Sequence, residues 1–389
     1  MSLMSNLLAK GFRPFFLLAA LFVASFMPVW LFRYTGQLNV GGDWLPATWH
    51  GHEMIFGFAL AVIAGFLLTA VNRWTGRPTA TGRSLALLCA LWVAGRGAIF
   101  FAEYLPGALV AAVDLAFVAA LAFYVGRPII QARSARNYKF LPIFAVLFAT
   151  NLVMHLGAMG VLDTGIARLT LLTALDMVIL IILIVSGRIV PMFTRNATGA
   201  DGLRTVGWLE KIIYPLVIAS IILQFFWPQH TLNAVVALVA GLAIGARQLT
   251  WGGQHTLKKP ILWVLHVGHA WIAIGFILRA LAIWLPQVSS SASSHALTVG
   301  SIGMLIIGMM TRVSLGHTGR PITASWLMSI AFVAVALAAL GRTFLPIIFP
   351  AYYIEWVMLS GVLFALAFGA FLLEFTPILI APRPDGKPG

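Results

Sequence analysis

Ala167-Arg-Leu-Thr-Leu-Leu-Thr-Ala-Leu-Asp-Met-Val-Ile-Leu-Ile-Ile-Leu-Ile-Val-Ser-Gly-Arg-Ile-Val190 decides the fold class. Crossing a hydrocarbon core as a helix takes roughly 20 apolar residues, and this run supplies them with one carboxylate, Asp176, inside. Outward from it, comparable runs recur near 12–32, 49–71, 84–103, 107–126, 140–160, 206–227, 232–249, 260–284, 295–312, 323–341 and 351–374. With 167–190 they predict an all-α integral membrane protein, a bundle of about twelve transmembrane helices forming one polytopic domain over 1–389. Tyr104-Leu-Pro106 and Pro228-Gln-His230 mark the tightest turns between runs.

Composition agrees. Of the 389 residues, 61% are hydrophobic and 9% charged, with a mean hydropathy of +0.96. Soluble chains carry about 25% charge, and disordered ones lack the apolar fraction. The net charge of +14 would suggest nucleic acid in a soluble protein. Here the basic residues gather on one side. Arg73, Arg77, Arg127, Arg133, Arg136, Arg204, Lys258, Lys259, Arg320 and Arg383 fall on the side of the N-terminus, against Arg33, Arg168, Arg279 and Arg342 opposite. By the positive-inside rule both termini are expected to be cytoplasmic, and the charge is topology rather than a nucleic-acid footprint. The first span follows Lys10 without a small-residue cleavage site, so an uncleaved helix is expected. No convincing internal repeat is seen, although twelve spans often arise by duplication.

Cys89 is the single cysteine. One thiol cannot make an intrachain disulfide, a four-thiolate cluster or a covalent haem attachment. A metal must therefore use His, Met, carboxylate or backbone. P-loop, G-x-G-x-x-G and H-E-x-x-H patterns are absent; His52-Glu53 begins the last, but Phe56 stands where its second His would be.

Ionisable residues within spans are costly in hydrocarbon, so each is a functional candidate. His50, His52, His155 and His295 come from three spans toward one membrane level, and imidazole suits copper and haem iron. Residues two apart on a helix point about 200° from one another, so a helical His50 and His52 cannot share one metal. His50 and Met54 share a face at i,i+4. Glu53 is a candidate proton donor or partner to a ligating His, and Asp176 a candidate proton carrier. His266 and His269, three apart, form a possible second ligand group, or a polar contact between helices. His295 and His317 are ~33 Å apart if helical and cannot share a metal. Asp114 and Arg96 are also mid-span. For the buried cations Arg96, Arg188, Arg279 and Arg312, carboxylate pairing and haem-propionate binding are the alternatives. Met304, Met309 and Met310 read as packing, and Gly300, Gly303 and Gly308 as sites of close helix approach.

Five blocks then carry a resemblance: Gly11-Phe-Arg-Pro-Phe-Phe16, Trp49-His-Gly-His-Glu-Met-Ile-Phe-Gly-Phe58 with Ala64-Gly-Phe-Leu-Leu-Thr-Ala70, Gly187-Arg-Ile-Val-Pro-Met-Phe-Thr194, His295-Ala-Leu-Thr-Val-Gly300, and Met310-Thr-Arg-Val-Ser-Leu-Gly-His-Thr-Gly-Arg320. In this order they resemble the NnrS family of the bacterial nitric-oxide response, over nearly the whole chain. The resemblance implies a twelve-helix inner-membrane protein carrying non-covalent haem b and copper, associated with denitrification and nitrosative-stress resistance. His50, His52, His295, His317, Arg188 and Arg312 fall within the matching blocks. His155 and His266 lie outside them, and the family pattern expects an aromatic residue at His269.

Three functions follow as expectations. The first is a haem- and copper-dependent reductase of nitric oxide, with protons from Glu53 or Asp176 and electrons from quinol or a periplasmic carrier. The second is a protein that binds nitric oxide and protects without turnover. The third is a twelve-helix transporter. Membrane lipid is a partner in each, and nucleic acid in none.

Overall fold

The computed structural model describes residues 3–199 and 206–387. Arg204, one of the basic residues of the orientation argument, lies outside the described residues. Twelve helices among these residues are long and apolar enough to cross a membrane. We number them α1 (Phe12–Tyr34), α2 (Pro46–Thr75), α3 (Gly82–Phe100), α4 (Gly107–Gln131), α5 (Ala135–Ala158), α6 (Thr164–Thr198), α7 (Gly207–Phe226), α8 (Thr231–Leu249), α9 (Pro260–Trp284), α10 (Ser290–His317), α11 (Trp326–Ile348) and α12 (Pro350–Ile380).

Helices are the fold of choice here because backbone groups in hydrocarbon must be satisfied within the segment. Their ends use local chemistry. Thr81 and Ser84 close a capping box at α3, and Ser325 accepts from the Met328 N–H at α11 (3.0 Å). Gly76 ends α2 with φ 64°, a left-handed conformation suited to glycine. Large apolar side chains such as Leu242, Leu366 and Leu373 are exposed on the outside, where lipid is the solvent.

The chain forms two compact units. The first is Met1–Val178 with Val313–Pro321 and Phe371–Gly389; the second is Ile179–Arg312 with Ile322–Ala370. In the first, the two ends of the chain meet. Buried Arg13 donates through Nη1 to the carbonyls of Leu379 (2.6 Å) and Ala381 (2.8 Å), and Arg383 donates to the His317 carbonyl (2.9 Å). An even number of spans requires such a shared side.

Among the described residues, two helices contain a π-helical segment. In α2, Pro46–His52 is α-helical, Glu53–Ala59 is π-helical and Leu60–Thr75 is α-helical again. In α10, a π-helical Ala296–Gly303 separates Ser290–His295 from Met304–His317. Such segments are rare and cluster at functional sites.

Candidate metal centre

The site in the first unit is built on the π segment of α2. The π segment begins directly after His52, so His52 and Glu53 sit at the junction of two helical registers. Gly57, within it, admits α1 and α3 closely: a Cβ there would lie 2.8 Å from Phe22 and 3.3 Å from Arg96 Cδ. The Gly57 carbonyl accepts from Trp92 Nε1–H of α3 (3.0 Å). These contacts bring Arg96 to the site.

Arg96 lies between two carboxylates. One terminal nitrogen donates to Glu53 Oε1 and the other to Asp114 Oδ1. The second oxygen of Asp114 is the hub. It accepts from Asn151 Nδ2 (2.7 Å) and faces Nε2 of both His155 (3.1 Å) and His52 (3.2 Å). His52 Nε2 also faces Asn151 Oδ1 (2.8 Å), and its Nδ1 faces Glu53 Oε1 (3.0 Å). Asn151 and His155 share a face of α5 at i,i+4 spacing. Trp44 closes one wall, 4.8 Å from His52 and 5.2 Å from His155 between ring centres, and Phe56 another. Arg33 holds Trp44 by its carbonyl (2.6 Å).

His52, Asp114 and His155 are buried, and one ligand atom of each lies within 4.8 Å of the others. Both nitrogens of His52 face acceptors. The ring therefore needs two protons, or one proton and one metal ion. Charge gives the same answer. Two carboxylates against one guanidinium leave one negative charge in a dry site, and a buried charge requires a partner. Two imidazoles and a carboxylate fit a small transition-metal ion. They fit a macrocycle poorly, because Asp114, Asn151 and Glu53 already occupy the edges of the His52 ring.

The remaining sequence candidates are distributed as follows. His50 points away from this cluster and stacks on Trp30 at 4.3 Å, in keeping with its two-residue offset from His52. Asp176 is buried in α6. Arg188 is half-buried on the same helix. In the second unit, Arg279 donates to Ser220 Oγ (3.3 Å) and Arg312 lies over the Phe193 ring at 3.8 Å. His295 directs Nδ1 to the Ser291 carbonyl (2.8 Å).

His266 and His269 belong to a second buried polar group. Thr194 donates its hydroxyl proton to the Val190 carbonyl (3.0 Å), so at 2.8 Å it accepts from His266 Nε2–H. His266 Nδ1 then carries a lone pair, and it has no hydrogen-bond partner among the described residues. His269 accepts from Arg247 at Nε2 (3.4 Å) and donates to Ser186 through Nδ1 (3.0 Å). Arg247 pairs with Glu210 (3.3 Å). A guanidinium beside His269 makes it a poor metal ligand. His317 lies against Phe12 in the first unit, 5.5 Å between ring centres with the rings tilted by 36°.

Asp114 and Asn151 were not among the residues singled out for the site. Asp114 carried the available signal, a carboxylate in mid-span. Asn151 carried only its spacing to His155.

No curated protein matches the chain. The family model described as NnrS protein matches residues 6–383, nearly its whole length. The chain belongs to the NnrS family.

Proposed function

We propose that the protein is a haem- and copper-containing oxidoreductase of the bacterial inner membrane that binds and reduces nitric oxide in nitrosative-stress defence. The observation that carries this reading is the first-unit centre itself: a His52 ring with acceptors at both nitrogens, beside His155 and two carboxylates bridged by one guanidinium. His52, His155 and Asp114 are ligands that suit a copper(I) ion. His266 Nδ1, a buried lone pair without a hydrogen-bond partner among the described residues, is the imidazole nitrogen that would hold a haem iron.

When bound, the metals supply the redox chemistry. The chain's own residues do the rest. Asp114 orients both imidazoles through one oxygen. Arg96 bridges the two carboxylates and fixes their spacing. Glu53 accepts from His52 Nδ1–H, which leaves the Nε2 lone pair as the one that would hold the metal. Trp44 and Phe56 exclude water, while an apolar gas dissolved in the bilayer reaches the site. Asp176 is the proton carrier of this scheme, and quinol or a periplasmic carrier supplies electrons.

The test is anaerobic purification with metal analysis and a reduced optical spectrum, then nitric oxide addition with headspace N2O recorded. Copper and haem with N2O formed under reductant support the reading. Metals with no N2O reduce it to nitric oxide binding, and absence of both metals overturns it.

A further inference from the structure

Where the two ends of the chain meet in the first unit, a buried arginine lacks an anion. Arg13, the second residue of α1, is 1% exposed. Both protons of its Nη1 are used, by the Leu379 and Ala381 carbonyls at 2.6 and 2.8 Å. Its Nε is buried and has no hydrogen-bond partner among the described residues. Arg383 shows the completed form of the same arrangement. Its Nη1 serves the His317 carbonyl, while Nε and Nη2 together grip the Asp385 carboxylate. The corresponding fork of Arg13 meets no carboxylate among the described residues. A guanidinium held in a dry setting by carbonyls alone favours an anion, and its fork matches two oxygens of one group.

Other cations collect around it. Arg320 and Arg383 lie within electrostatic reach of Arg13, and Lys10, Arg73 and Arg383 within reach of the His317 ring. Burial, then the charges of Arg73, Arg383 and Arg13, push the Lys10 ammonium below its ordinary value. Phe12 joins the group: the Arg13 guanidinium carbon is 5.8 Å from its ring centre, and the His317 ring lies against it. Gly319, at φ 72°, brings the turn after α10 onto the Arg383–Asp385 pair, where a Cβ would meet Arg383 Nη2 at 3.1 Å. Arg320 follows, and its Nη1 reaches the Thr318 carbonyl at 3.4 Å. Cations that serve only topology stay in water. Here Lys10, Arg320 and Arg383 are half-buried and Arg13 wholly so. Gathering like charges out of water is unfavourable, and a bound anion offsets it.

Position selects the anion. The group lies where α1 begins and α2, α10 and α12 end, which is headgroup depth rather than hydrocarbon. The chain before it forms a short helical turn, Leu3–Leu7, tied to the end of α12 by Asn6 Nδ2 and the Ile380 carbonyl (3.4 Å). Leu3 and Met4 of that turn are exposed. Apolar side chains beside a cationic pocket suit the acyl chain and the phosphate of one molecule, and basic pockets between helices at this depth hold phospholipid headgroups.

We infer that Arg13, Lys10 and Arg320 bind the phosphate of an anionic phospholipid at this end of the first unit. The test titrates full-length protein in detergent with phosphatidylglycerol and with phosphatidylcholine of the same acyl chains, and counts bound lipid by native mass spectrometry. Two or three basic side chains predict a preference for phosphatidylglycerol of roughly tenfold to a hundredfold at one site. Lys10→Gln with Arg320→Gln should abolish it. Arg127→Gln with Arg133→Gln removes the same charge from exposed positions at the end of α4 and should preserve it. Where the first pair fails to fold, Arg320→Gln alone, which gives up one long hydrogen bond, should lower the preference a few-fold. A wild type that binds both lipids equally overturns the inference. So does a preference that survives in the Lys10 and Arg320 variants, or one that falls equally in the Arg127 and Arg133 pair. Displacement of phosphatidylglycerol by millimolar inorganic phosphate at constant ionic strength assigns the cations to free phosphate and also overturns it. No metal and no nitric oxide enter these titrations, so their outcome is independent of the proposed function.

Discussion

At the scale of residues, the centre of the first unit is a charge arrangement in which Arg96 is the keystone. Removing it leaves Glu53 and Asp114 buried beside each other with no guanidinium between them. Breaking a buried ion pair from one side costs about 3–5 kcal/mol. Arg96→Met should therefore lower stability by that amount in a detergent-unfolding assay; an unchanged transition would mean that water reaches the carboxylates. Glu53→Gln asks a finer question. Gln keeps the shape but is a weaker acceptor for His52 Nδ1–H and removes one negative charge. Loss of such an outer partner lowers metal affinity about 10–100-fold. Copper retention under graded chelator should fall by that factor while haem content holds. Equal retention would detach Glu53 from the metal site. The sequence made His52, His155 and Glu53 visible because charged and imidazole groups are conspicuous in apolar runs. It showed Asp114 as a mid-span carboxylate but could not show that these residues meet around it. Asp114 and Asn151 gain meaning only when α4 and α5 meet α2, and which helices meet is set by packing rather than by hydropathy.

At the scale of elements, the twelve spans are legible because hydrocarbon imposes both length and apolarity on every one. The π segments are not. Glu53–Ala59 and Ala296–Gly303 contain ordinary helix formers with glycines, and one extra residue per turn leaves no mark on an apolar run. Their cause is tertiary, the close approach of neighbours at Gly57 and Gly300. A Cβ at Gly300 would lie 2.4 Å from Trp271. This predicts a sharp contrast between two glycines near one another in the fold. Gly57→Ala must displace Phe22 and the Arg96 stem, and overpacking of this kind costs about 1–3 kcal/mol. Gly97→Ala meets nothing within 4 Å. The first variant should unfold earlier and retain less copper, and the second should match the wild type in both. Equal behaviour would show that the π segment relaxes freely and does not position Arg96.

At the scale of the whole molecule, the first unit gathers the beginning and the end of the chain, and the last contact of that closure lies outside the spans. Arg383 donates to the His317 carbonyl at the end of α10 while Asp385 grips it from the other side, Nε to Oδ1 at 2.8 Å and Nη2 to Oδ2 at 2.6 Å. Asp385 also accepts from the Lys387 N–H (3.3 Å). The hydrogen bonds from Arg383 hold the Asp385 carboxyl well below the usual carboxylate range. A carboxylate lowered in the folded state contributes stability that is present above its unfolded value of about 3.9 and is lost as pH falls through the lower folded value. The clamp should therefore be indifferent to pH across the neutral range and open only under strong acid. Being an exposed pair, it should affect local order far more than global stability. Hydrogen exchange at the Gly386 and Lys387 amides measures this directly. Asp385→Asn should exchange faster than the wild type at pH 7, with no change in the unfolding transition. The ratio of the two rates should stay constant from pH 5 to pH 8. A ratio of one throughout would show that Arg383 holds the end of α10 without its carboxylate partner, and would place the closure of the first unit on Arg13 and Arg383, with no part for Asp385.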